Sequence, residues 1–494
     1  MNLDTAKIKQ DRRTFEEKDA DLGGNLIFLV GPHRDVAHLP HGDVIKERLT
    51  AARSKLEPAA PFHTQLPNRR GTRLTLWPLD PAASTFELLS AAREIIAVHR
   101  APAPATLAIA AYGVDAALAE RGSEALIAAA LAADFAMPAF KSKPEAATRL
   151  KQINVFGHEA AHGYRRTLAA ARGNNLARWL TALPPNELTP GRYRQQVLAL
   201  ARRYRWKADF LDTRRLKALG AGAFLAVAQG SPEPDAGILH LRYTPKKKSG
   251  RAPLALVGKG ICFDTGGTNL KPARHMHGMH EDMEGSAVAL GTLLALTELE
   301  VDFPVDCWLA LAQNHIGPKA YRQNEVITAA NGTTIEIVHT DAEGRMVLAD
   351  TLTFASRAQP SLIIDYATLT GACVGALSTR LSGAVTNRFD YVPTLIAAGL
   401  RSGERVWPFP LEKDFDKALK SEIADVKQCT LDSEADQILA ALFLRRFIEH
   451  DTPWVHVDLS AGNHKGGLAH IPTDITGFGV RWTLALLLDE QLPS

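Results

Sequence analysis

Short apolar runs alternate with longer amphipathic stretches along most of the chain. Segments 26–30, 74–79 and 107–112 are short and apolar, which predicts buried strands. Segments 84–99 and 124–135 repeat apolar residues at helical spacing, the second being very rich in alanine. Alternating strands and helices predict an α/β layer structure for this first part. A long amphipathic helix is predicted over 159–183, ended by Pro184, Pro185 and Asn186. The alternation then resumes. Strands are predicted at 238–243, 254–258, 305–312, 334–338, 362–366 and 455–459, and helices at 284–298, 346–358, 415–421 and 436–450. Such a pattern fits a mixed, mostly parallel sheet covered by helices. The expected organisation is an N-terminal α/β domain over 1–158, a linker helix over 159–185 and a larger C-terminal α/β domain over 186–494.

Composition adds bounds to this picture. A chain of 494 residues, 46% hydrophobic and 22% charged, is expected to be soluble, globular and built of more than one domain. A chain of this length buries a core without staples, so a metal site in it points to catalysis. Cys262, Cys307, Cys373 and Cys429 lie far apart and form no C-x-x-C pair, which suits a reducing compartment. The polar N-terminus lacks the apolar centre of a signal peptide, and no apolar run is long enough to span a membrane. The expectation is a cytoplasmic protein with no membrane partner. With 57 basic and 54 acidic residues the net charge is only +3, which gives no reason to expect nucleic acid as the main partner.

Two segments stand out for chemistry. One runs from Val257 through Lys259, Asp264 and Lys271, followed by Asp282. The other runs from Glu336 through His339, Asp341, Glu343 and Arg345 to Asp350. Each follows an apolar strand and leads into a helix, so together they can bring three aspartates, one glutamate, two lysines and one arginine to one sheet edge. Packed carboxylates repel and take up protons unless cations intervene. Two divalent cations would keep them ionised, activate a water and polarise a scissile carbonyl. Oxygen-rich ligands suit zinc, manganese or magnesium. Either segment alone is also ordinary turn chemistry, with Asp capping a helix and Gly in left-handed backbone. A two-metal hydrolase acting on another amide or a phosphoester, or a binding protein, are the rival readings. The absence of a phosphate-binding loop argues against the phosphoester.

These residues resemble the leucyl aminopeptidase (cytosol aminopeptidase) family of two-metal exopeptidases. The Thr340-Asp341-Ala342-Glu343-Gly344-Arg345 core is the most specific part, and the resemblance extends over about residues 160–494. It implies that Asp264 and Glu343 bridge two divalent ions, manganese or zinc. Lys259 and Asp282 would complete one metal site and Asp341 the other. Lys271 would stabilise the tetrahedral intermediate, and Arg345 would hold a bicarbonate acting as general base. Met279, Thr368 and Gly371, with the Leu369 carbonyl, would line the pocket for an apolar first residue of a peptide substrate. A homohexamer is implied as well, and some relatives bind DNA. His339 stands where the family usually has Asn, Thr265 where Ser is common, and the 313–325 loop departs from its pattern. His275, His277 and His280 look like a metal box when read alone, but the resemblance makes none of them a ligand. His456 reads as a buried structural histidine.

Overall fold

The computed structural model describes residues 2–31, 35–58, 60–100, 104–143, 149–247, 250–432 and 434–493. They form two compact units. One comprises residues up to Arg172 together with Gly466–Asp474, and the other Gly173–Lys465 with the residues from Ile475 onward.

The first unit is built on a six-stranded sheet. Along Asn25–Val30, Leu26, Phe28 and Val30 join one apolar cluster while Ile27 and Leu29 join another. Side chains alternate across a strand, so an unbroken apolar run is what a sheet covered on both faces requires. Asn25–Val30 pairs in parallel with Arg73–Pro78 and with Thr106–Tyr112, and only Phe62–Gln65 at one edge is antiparallel. The helix predicted over 124–135 starts earlier, at Ala116, because the Asp115 side chain caps it by accepting from the Leu118 N–H at 2.9 Å. The helix predicted from 159 starts only at Arg165. Gly163 and Tyr164 take φ of 60° and 59°, a left-handed backbone that no α-helix can include.

The second unit holds an eight-stranded mixed sheet. Its four central strands are mutually parallel, in the order Trp454–Asp458, Leu362–Ala367, Leu254–Asp264, Val305–Asn314. Antiparallel pairings lie outside them: Gly237–Tyr243 runs against Val305–Asn314 and Lys207–Asp212 against Gly237–Tyr243 on one side, and Ser382–Thr386 runs against Trp454–Asp458 on the other. Helix Glu343–Arg357 packs on one face with Gly222–Ala228 and Asp436–Arg445, burying Met346, Val347, Leu352, Phe224 and Phe443. Burial of each such side chain contributes about 1.5–3 kcal/mol. The helix Glu284–Glu298, apolar over most of its residues, is buried along most of its length. Two expectations change here. The strand predicted at 334–338 shortens to Thr334–Glu336 and belongs to a separate three-stranded sheet with Val326–Thr328 and Val426–Lys427. The helix predicted at 415–421 is a 3-10 turn over Lys413–Leu419, too short in apolar repeat to sustain an α-helix. Among the described residues, no helix is long and apolar enough to cross a membrane.

Candidate active site

The four parallel strands of the second unit all end on one side, and a cleft of about 550 Å³ opens there. This is where open α/β sheets form sites, because strand ends leave side chains and helix N-termini facing outward. Lys259, Asp264, Lys271, Met279, Asp282, Asp341, Glu343, Arg345, Thr368, Leu369 and Gly371 all line it. The exposed His275 and His277 and half-buried His280 do not. His456 is buried at the strand Trp454–Asp458, its Nδ1 2.7 Å from Asp365 Oδ1. Asp350, at the far end of the second signature, also lies away from the cleft. It accepts from the N–H groups of Phe224 (2.8 Å) and Ala330 (2.7 Å) and anchors the helix that carries Glu343.

Each acid is aimed by its local structure. Asp264 ends its strand, and its Oδ1 accepts from the Gly266 N–H and from Asn314 Nδ2, both at 2.8 Å. Its Oδ2 faces the cleft, 2.9 Å from Lys271 Nζ. Gly266 and Gly267 bring the chain back at φ of 86° and 66°, and a Cβ on Gly267 would meet Thr340 Oγ1 at 2.9 Å. Glu343 opens its helix, where the N-terminal dipole favours a carboxylate. Asp282 Oδ1 accepts from Lys259 Nζ and from the Thr368 hydroxyl, each at 2.7 Å. Lys259 Nζ is also 2.9 Å from Glu343 Oε1 and donates to the Thr368 carbonyl at 2.9 Å. Lys271 pairs with Asp341 as well.

The electrostatics are those of acids forced together. Burial, with the charges of Glu343 and Asp264 added, raises Asp282 well above the usual carboxylate range despite Lys259. Burial and the same two neighbours push Asp341 up to about 7. Burial alone would lower the two lysine ammonium groups, but the surrounding carboxylates outweigh it and raise both. Oxygens of Asp264, Asp341 and Glu343 lie within 4.8 Å of one another. Asp282 Oδ2 and Glu343 Oε2 are buried without a hydrogen-bond partner, which is costly unless a cation takes up their charge. The donor set therefore fits divalent cations. A metal-bound lysine must be a neutral amine, so cations here would reverse the direction in which Lys259 is shifted.

Gly344 is required by this packing. A Cβ there would lie 2.6 Å from Lys259 Cε and 2.8 Å from Nζ. Gly344→Ala is expected to destabilise by about 1–3 kcal/mol and to weaken metal affinity about 10–100-fold. Thermal unfolding and metal titration check it; unchanged affinity would mean that Lys259 is not held where it must be to ligate.

Arg345 differs from what the resemblance implies. Its guanidinium is buried, and Nη1 donates to the Gln428 carbonyl at 3.0 Å. Nη2 donates to both oxygens of Asp436, each at 2.8 Å. Both terminal nitrogens are thus engaged within the chain while Nε is left buried without a partner, and a bicarbonate could pair with the Nη2 fork only by displacing the Asp436 carboxylate. The residues present do not fit that anion. Three polar groups of the site were not picked out from the sequence: Asn314, Asp436 and Asp458. Asp458 accepts from the Leu369 N–H at 3.0 Å and the Thr370 hydroxyl at 2.7 Å, holding the turn that carries the pocket. Polar residues at the ends of apolar strands were the available signal for Asn314 and Asp458.

The chain is similar in sequence to known proteins. The catalytic-domain model of the cytosol aminopeptidase family matches residues 175–484. A probable cytosol aminopeptidase of Stutzerimonas stutzeri is 42% identical over 66% of this chain and 68% of its own length. One from Azotobacter vinelandii is 40% identical over 74% of this chain and 73% of its own. One from Persephonella marina is 36% identical over 69% and 70%.

Proposed function

The chain belongs to the cytosol aminopeptidase family, and from that premise we propose that its cleft removes apolar N-terminal residues from peptides with two divalent ions. The enzyme is a metal-dependent aminopeptidase. The single observation that carries the finer reading is the close group of Asp264, Asp341 and Glu343 oxygens, with Lys259 and Lys271 packed against it. Asp264 and Glu343 would hold both ions, Lys259 and Asp282 one of them, and Asp341 the other. When bound, two such ions, manganese or zinc, activate a water and polarise the scissile carbonyl.

The chain's own groups do the rest. Lys271 stays protonated and donates to the oxygen that becomes negative in the tetrahedral intermediate. The turn Thr368–Gly371, held by Asp458, positions the pocket that Met279 also lines. An apolar pocket discriminates side chains by only about 1–3 kcal/mol per methylene, so a broad apolar preference follows. The acid cluster gives the substrate's free α-amino group a complementary place, which an internal peptide bond lacks. Among the described residues, the unit up to Arg172 contributes none that line the cleft, and it is assigned to positioning or assembly, in keeping with a homohexamer and a cytoplasmic setting.

Leucine p-nitroanilide is expected to be cleaved with manganese or zinc, the rate falling to background after chelation and returning with either ion. N-acetylation of the leucine is expected to abolish cleavage. Turnover that survives exhaustive metal removal, or is indifferent to acetylation, would sink this reading.

A further inference from the structure

We propose that Asp436 is the proton acceptor of the reaction, a carboxylate of the chain standing on Arg345 where a captured bicarbonate would otherwise be needed. The inference rests on the reading of the cleft as a peptidase site. Three observations carry it. First, Asp436 lines the same cleft as the acid cluster and the two lysines. Its side chain is 18% exposed against 2% for Arg345, so the pair has a buried cation and a carboxylate open to the cleft. Second, the pair is built in. Arg345 is fixed on the other side by the Gln428 carbonyl, and Gln428 is itself held by donating to the Ala342 carbonyl at 3.0 Å. Asp436 is the first residue of the helix Asp436–Arg445, where the helix dipole favours a negative group, and Ala435 before it turns the chain in at φ of 53°. Third, every other carboxylate facing this cleft has another task or an unsuitable place. Asp264, Asp341 and Glu343 form the close acid cluster, Asp282 accepts from Lys259 and Thr368, and Asp458 is taken up by Leu369 and Thr370. Glu284 is fully buried, and Glu281 accepts from Asn463 at 2.7 Å.

The step balances. The water oxygen bonds to the carbonyl carbon while one of its protons passes to an Asp436 oxygen, and the carbonyl electron pair moves onto the oxygen facing Lys271. As the C–N bond breaks, the proton passes from Asp436 to the leaving nitrogen. The carboxylate is regenerated, and the amino acid and shortened peptide depart. Arg345 keeps the acceptor oriented and compensates its charge. A captured anion on this edge would bring a second negative charge against Asp436, which is unfavourable in so buried a place.

The test begins with the unaltered enzyme. In carbon-dioxide-free buffer with manganese, leucine p-nitroanilide hydrolysis is expected at full rate, unchanged by added bicarbonate. The protein is also expected to cause no broadening of the ¹³C-bicarbonate resonance, with or without metal. Asp436→Asn is expected to lower kcat by about 10²–10⁴-fold with metal content and circular dichroism unchanged. Asp436→Gly, which uncovers Arg345, is expected to bind bicarbonate and to regain part of its rate when bicarbonate or formate is added. A wild-type rate that rises tenfold with bicarbonate, wild-type broadening of its resonance, or Asp436→Asn within threefold of wild type would overturn the proposal. Failure of the peptidase reading looks different: the unaltered enzyme, loaded with manganese or zinc, would cleave no aminoacyl substrate at all.

Discussion

Asp341→Ala is expected to lower kcat by at least about 10³-fold and to reduce the bound metal from two ions per chain to one. On the proposed function the variant would hold one divalent ion fewer at the scissile carbonyl, a loss of several kcal/mol at tenfold per 1.36 kcal/mol. Selective loss is expected because Asp341 belongs to one side of the cluster, paired with Lys271, whereas Lys259 and Asp282 occupy the other. The fold is expected to survive. Asp341 has the most exposed side chain of the four acids, at 27%. Its carboxyl is pushed up to about 7, first by burial and then by Asp264 and Glu343. A carboxyl whose folded pKa lies above its unfolded value destabilises the fold increasingly as pH rises from about 4 through 7. Removing it therefore relieves the metal-free protein above pH 7. Metal analysis, kinetics and a melting curve of the metal-free variant at pH 8 check all three parts. Full turnover, or two ions retained, would count against the assignment of Asp341.

Lys271→Met is expected to lower kcat by about 10²–10³-fold with little change in KM. An interaction made only as charge develops on the carbonyl oxygen lowers kcat without weakening ground-state binding. The same change separates this role from a structural one, because metal content is expected to stay at two ions or bind more tightly. Lys271 Nζ sits 2.9 Å from Asp264 and pairs with Asp341, so as a cation it competes with metal for those carboxylates. Methionine keeps most of the volume and removes the competitor. A variant that loses metal together with activity would place Lys271 among the supports of the cluster instead. In the metal-free state it is expected to melt earlier than wild type, since two acids lose their compensating charge.

Much of the catalytic unit was legible from pattern. The four central strands are largely apolar and buried on both faces, so the sequence signal for them is strong. Lys207–Asp212 gave no signal because it is an edge strand, mostly exposed, whose pairing supplies order that its own polarity does not reveal. Ser382–Thr386 is buried but made of small residues without alternation. The helix predicted from 159 failed at two left-handed residues, one of them a tyrosine, which periodicity cannot register.

The same division runs through the site. Asp264 with Lys271, and Asp341 with Glu343 and Arg345, sit on single turns between a strand or extended segment and a helix. Their relation is therefore local, and residue type and spacing alone determined that acids, lysines and an arginine would be presented together. What those groups meet was decided by tertiary structure. Asn314 reaches Asp264 because their strands are neighbours in register, 50 positions apart in the chain. Asp436 reaches Arg345 across 91 positions because the helix it begins packs against the helix Glu343–Arg357. No pattern in a short window encodes a contact of that range: it depends on strand order and on how two helices cover one sheet face. For that reason the sequence could name Arg345 and its affinity for an anion, and only the fold could supply the anion.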